Sequence, residues 1–241
     1  MSSAQSRPRP PLCDAGNTRM GLWPGLYCCW ATLAIGLALA LAGLSAESLT
    51  RLLVLAFLGS QMAACRRLAH VLPGLPPRRR FIVLGTVLAA VVEGLHMISA
   101  PVFLSLRIGW ETSVSQGLLQ YALDLLFTVP VYVVIFAVIW RFIQRYQYTL
   151  WHYVLVMGLA QTLGDGGLVF WYHAPAMLAF LPYPMTNYHA INVLPFLAVR
   201  AQLPPERQVS RRAYLAIPAL MVTYFVCGAL IKVLGQYAGL A

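Results

Sequence analysis

The sequence predicts an all-α, polytopic membrane protein of about seven transmembrane helices, and three observations carry that prediction. Of the 241 residues, 60% are hydrophobic and 10% charged, and the mean hydropathy is +0.71; a soluble domain carries about 25% charge. Seven segments approach the roughly 20 apolar residues that a spanning helix needs. The basic residues, finally, are distributed unevenly between the connecting segments, as membrane topology requires. A net charge of +10 would point to nucleic acid in a soluble chain, but here it is accounted for by orientation in a membrane, and no nucleic-acid partner is expected.

The elements follow in order. Residues 1–20, rich in proline and polar side chains, read as a disordered basic tail. The apolar stretch behind them is long enough to anchor, so it does not read as a cleavable signal. Residues 21–80 hold two N-terminal spans, 22–44 and 48–65; the second is short, its uninterrupted apolar part running only from Leu52 to Cys65. Further spans are expected at 81–104, 116–140, 150–171 and 184–200, forming one unit over residues 81–203. An inner loop and a last span, 213–236, occupy residues 204–241.

With the N-terminus inside, the inner segments hold fourteen arginines, among them Arg78, Arg79 and Arg80, and the outer side holds Arg51, Arg107 and Lys232. Fourteen against three places the N-terminus in the cytoplasm and the C-terminus outside or in a lumen. The membrane is then the endoplasmic reticulum or a bacterial plasma membrane. Lys232, close to the outer end of its span, is expected to snorkel. Cys13, Cys28, Cys29, Cys65 and Cys227 show neither metal nor paired-disulfide spacing and read as packing residues. Tyr148, Trp151, Trp171 and Tyr172 read as an aromatic belt.

Three of the seven acidic residues, Glu93, Asp124 and Asp165, fall inside spans. A charge at mid-bilayer costs at least ~3 kcal/mol, so all three should face the bundle interior. At ~1.5 Å per residue, Glu93 and His96 stand about 18 and 22 Å above the inner end of their span, and Asp165 about 22 Å up its own. Asp124 lies about 12 Å below the outer end of its span. The stretch TNYHAIN brings Tyr188, His189 and Asn192 to a similar level, and Gln161 lies one turn below Asp165. For Asp165, between Gly164 and Gly166, two readings stand side by side: a polar clasp at a close helix crossing, or the end of an intramembrane cavity. His189 reads equally as an interfacial residue and as a ligand-facing one. No Walker loop, metal-binding HExxH or GxSxG is present, and neither a metal nor a cofactor is expected. A haem held by His96 with His189, or by His152 with His70, is a remote third reading.

Three stretches have a recognisable order. LDLLFTVPVYVVIFAVIWR places Asp124 six residues before Pro130; GLAQTLGDGGLVF has the pattern GxxQxxGDxxxxF; YHAINVLPFLAVR places Tyr188 seven residues before Pro195 and closes on Arg200. Together they resemble the EXPERA family of sterol isomerases and lipid-binding receptors over residues 81–203. The resemblance implies a four-helix bundle in spans three to six, enclosing a lipid cavity. It implies an intramembrane isomerase-type enzyme that shifts a double bond or drives a carbocation cyclisation on a sterol or terpenoid. Asp124, Glu93 and His96 would be its catalytic residues, and Gln161, Asp165, Tyr188, His189 and Asn192 would bind substrate. The alternative is a non-catalytic sterol or lipid binder or transporter, similar to the sigma-2 branch. The partners implied are the membrane and a sterol or terpenoid lipid, with a homodimer allowed. Two positions depart from the isomerase pattern: Ala100 stands where a glutamate follows the histidine, and Ile191 where the last helix has a tryptophan.

Overall fold

A computed structural model describes residues 21–68, 72 and 74–240. The expected tail, Cys13 and His70 lie outside them. Among the described residues there is no strand, only an isolated bridge between Tyr146 and Gln208. Seven principal helices carry the fold: α1 (Leu22–Ala42), α2 (Ala46–Ala63), α3 (Pro77–His96), α4 (Val114–Arg145), α5 (Leu150–His173), α6 (Pro182–Val199) and α7 (Ala216–Tyr237). Four of them, α1, α4, α5 and α7 with the turn leading into it, are long and apolar enough to cross a membrane.

The boundaries have local causes. Three serine or threonine side chains accept from the backbone of the first turn and start their helices: Ser45 from Ser48 at 3.2 Å, Ser113 from Gln116 at 3.3 Å and Thr149 from His152 at 3.2 Å. The third span was expected to run to residue 104, but α3 stops at His96. Residues 97–103 fold back across the bundle end, where Met97, Phe103 and Leu106 form a small core of their own. Because α2 is the least apolar of the first two helices, it turns its polar residues inward: Ser48, Thr50, Arg51 and Gln61 are all buried. Gln61 donates to the Ala190 carbonyl at 2.9 Å, and Thr50 to the Leu95 carbonyl at 3.2 Å.

The centre of the molecule is α6, which buries fifteen of its eighteen residues, whereas α1 buries only Ala34. Around α6 stand α1, α2, α3 and α5. The seventh helix was expected outside the four-helix unit; instead α7 packs against both α4 and α5 and completes a ring with α3 and α6. Close approach is bought with glycine. Gly85 of α3 faces the ring of Phe136 on α4, where a Cβ would come within 2.4 Å of Cε1.

Two further sequence readings are corrected. Cys65 packs in the main core as expected but is disulfide-bonded, while among the described residues Cys28, Cys29 and Cys227 are free. Tyr148 and Trp171 are buried packing residues, not belt residues, and Tyr148 donates to the Ala213 carbonyl at 2.7 Å.

Gly85→Ala should therefore destabilise the bundle by about 1–3 kcal/mol through overpacking. Gly36→Ala, with nothing within 4 Å of the new methyl, should be neutral or stabilising. Thermal unfolding of the two variants in detergent checks the contrast.

Candidate functional site

The helical path of α5 is interrupted at residues 163–167, LGDGG, by a wide turn in which two residues leave helical geometry: Asp165 (φ −82°, ψ 43°) and Gly166 (φ 86°, ψ −11°). Interruptions of this kind collect at functional sites. The flanking glycines are each required. Gly166 takes a positive φ that L side chains rarely adopt, and Gly164 lies against α7, where a Cβ would stand 2.9 Å from Tyr224 Cβ. The break turns the Asp165 carboxyl towards α6, and Tyr188 Oη donates to Asp165 Oδ2 at 2.5 Å.

Two similar pairs lie beside it. Tyr132 of α4 donates to Glu93 Oε1 of α3. Tyr224 of α7 donates to Gln161 Oε1 of α5 at 3.1 Å, while Gln161 Nε2 donates back to the Met157 carbonyl at 3.1 Å. The rings of Tyr188 and Tyr224 meet edge to face with centroids 6.3 Å apart. Three tyrosine hydroxyls from three helices thus satisfy three acceptors on α3 and α5, in a single layer that ties the ring together.

Asp165 and Tyr188 open from this layer onto a cavity of about 710 Å³. Its other walls are the C-terminal end of α1 (Ala38, Leu41, Ala42), the aromatic pair Phe170 and Trp171, and a face of α2 and α6 carrying Glu47, Arg51, Tyr183 and Asn187. The size suits a drug-sized or larger lipid ligand.

The remaining residues expected at the site are distributed differently. Asp124 is wholly buried and does not line the cavity; its Oδ1 accepts from the Val102 amide at 2.9 Å, pinning the segment that folds back after α3, and its Oδ2 is unpartnered. His96 lies beside Asn187 and Arg51 with its Nε2 buried and without a partner. His189 faces α1, where its Nε2 and Tyr27 Oη share a hydrogen bond of 2.6 Å. Asn192 is internal, accepting from Tyr153 Oη at 3.1 Å and donating to the Tyr188 carbonyl at 2.7 Å. Glu93, Asp165, Gln161 and Tyr188 therefore come together, His96 stands next to Arg51, and Asp124, His189 and Asn192 make contacts elsewhere.

Sequence reasoning missed Tyr132, Tyr224 and Arg51. The available signal was a tyrosine in the middle of an apolar helix, far from either interface, and an arginine within SLTRLLVL. The chain matches no protein-family model, curated protein or solved structure.

The bond to Val102 gives Asp124 a measurable structural share. Asp124→Ala strands that amide and should lower stability by about 1–3 kcal/mol. Asp124→Asn keeps an acceptor in place and should lose less than half as much, by denaturant or thermal unfolding in detergent.

Proposed function

We propose that this protein is an intramembrane enzyme of the isomerase type, moving protons on a sterol or terpenoid lipid bound in the cavity beside Asp165. The observation that carries the reading is the pairing of two carboxyl groups, each held by a tyrosine from another helix: Asp165, which lines the cavity among apolar residues such as Leu41, Phe170, Met177 and Phe180, and Glu93 in the layer behind it. A double-bond shift needs an acid to protonate the alkene, a dry site that tolerates the cation and a base to take a different proton. Asp165, which opens onto the cavity, is the group that exchanges a proton with the lipid. Having protonated one carbon, the Asp165 carboxylate takes the proton from another, so that the cycle balances; Tyr188 orients it, and Glu93 with Tyr132, in the layer behind the lining, is the second acid station that supports its proton exchange. Aromatic faces at Phe170, Trp171 and Tyr188 would stabilise the transient cation. Gln161 positions this layer through Tyr224, while Asp124 pins the segment that follows α3.

In this reading all seven helices cross the membrane with the N-terminus in the cytoplasm, in the endoplasmic reticulum or a bacterial plasma membrane, and α3 to α6 form the EXPERA-like unit. A groove lined by Arg78, Arg141 and Arg145 supports that orientation, because it gathers positive charge at the bundle end opposite to the cavity.

The experiment is to identify by mass spectrometry the lipid that co-purifies with the detergent-solubilised protein, then to incubate the two in deuterated water. The lipid should gain deuterium with the wild type, and Asp165→Asn and Glu93→Gln should each slow labelling by about 10²–10⁴-fold, the usual share of one acid–base group. A lipid that binds but acquires no label would make the cavity a receptor or carrier site of the sigma-2 kind.

A further inference from the structure

Among the described residues, Arg51 is the one basic side chain that lines the cavity, and it is only 5% exposed. Its Nη1 donates twice into α6, to Thr186 Oγ1 at 2.9 Å and to Asn187 Oδ1 at 2.6 Å. Its guanidinium lies 4.1 Å above the ring centroid of Tyr183. Both acceptors on Nη1 are neutral. Among the described residues, no carboxylate stands within ion-pair distance of it; Glu47, one turn earlier on α2 and exposed at the cavity rim, acts on it only at longer range. Nε is buried and has no partner. The edge of the guanidinium that carries Nε and Nη2 is the one that grips a carboxylate or phosphate side-on. A charge buried in a membrane protein without a counter-ion is expensive and marks a ligand or ion pathway.

We infer that Arg51 is the head-group site of the cavity, and that the lipid bound there carries an anionic head, a carboxylate or a phosphate, with its hydrocarbon running between α1 and α5 towards Asp165. The isoprenoid nature of that hydrocarbon rests on the function proposed above; the charge of the head rests on Arg51 alone. A neutral sterol hydroxyl would leave the guanidinium without a counter-charge. Asp165, already accepting from Tyr188, and Glu47 set the limits of the head group, because a second negative charge near either would be repelled.

The test uses the full chain in detergent and two probes of equal chain, farnesyl monophosphate and farnesol, measured by equilibrium dialysis. The wild type should bind the phosphate at least about tenfold more tightly, the scale of a charge-assisted pair. Arg51→Gln should bring the two to parity, and Arg51→Lys, lacking the planar fork, should keep only part of the preference. Should the Arg51 variants fail to fold because they lose the tie between α2 and α6, Glu47→Gln serves instead. It leaves that tie intact and should tighten phosphate binding about threefold without changing farnesol. Equal affinity for the two probes in the wild type overturns the inference, as does a preference that survives in folded Arg51→Gln. Millimolar inorganic phosphate should not displace farnesyl monophosphate; full displacement would show a site for free anions and overturn the lipid head. Deuterium labelling is read separately, so head-group preference without labelling would remove the enzyme and retain the site.

Discussion

Inside hydrocarbon a polar group has no water to fall back on, so each must find its partner on a neighbouring helix. That constraint organises this molecule more than hydrophobic packing does, because lipid tails and leucines are equally apolar and cannot by themselves say which helix goes where. The answer is written in tyrosines. Tyr132, Tyr188 and Tyr224 each carry a hydroxyl long enough to reach across a helix interface, and each finds an acceptor on α3 or α5. Exchanging any pair would leave a carboxyl or the buried Gln161 amide unpartnered. The ring of α3, α4, α7, α5 and α6 is thus specified by polar matching and then filled by apolar side chains.

Close matching demands close helices, which explains where the glycines sit. Gly164 admits α7, Gly158 admits the imidazole of His189, and Gly85 admits Phe136. Around Asp165 the two needs collide: a helix continuing straight would keep the carboxyl on the helix's own surface, beside its neighbours in sequence. Breaking α5 at residues 163–167 gives up regular backbone hydrogen bonding, and it delivers the carboxyl to Tyr188 and to the cavity at once. The polar clasp and the cavity end, which stood as alternatives for Asp165, are therefore one arrangement: one oxygen is clasped while the residue as a whole lines the void.

The same economy explains α2. A helix too polar to face lipid still has to be placed, and this one buries its polar stripe against α6, with Gln61 anchoring the far end and Arg51 the near end. The stripe places a cation on the wall of a cavity that already holds Asp165. On the function proposed above, an amphiphile entering that space would meet a charge at one end and an acid held by a tyrosine at the other. Its register would be set by the distance between two helices, not by any single contact, which is the positioning that a reaction at one carbon of a long chain needs.

What the sequence could disclose follows from the same physics. Helix number and order were legible because length and hydropathy are properties of single segments. That Asp165 and Tyr188 stand at one level was legible too, because rise per residue is fixed. The direction in which each side chain points was not, since a nearly all-apolar helix has no amphipathic stripe to orient it; Asp124, expected in the same polar layer as Asp165, turns instead to the Val102 amide. Tyr224 was hidden for a different reason. A tyrosine near a membrane is ordinarily an interfacial residue, and only its pairing with Gln161, sixty-three positions away, distinguishes it. Arg51 was hidden by the topology argument itself, because counting it among outer-side charges accounted for its presence and left nothing to explain. Once α2 is seen to pack against α6, that explanation no longer holds. A buried cation on the wall of a cavity is then left without a carboxylate at ion-pair distance among the described residues.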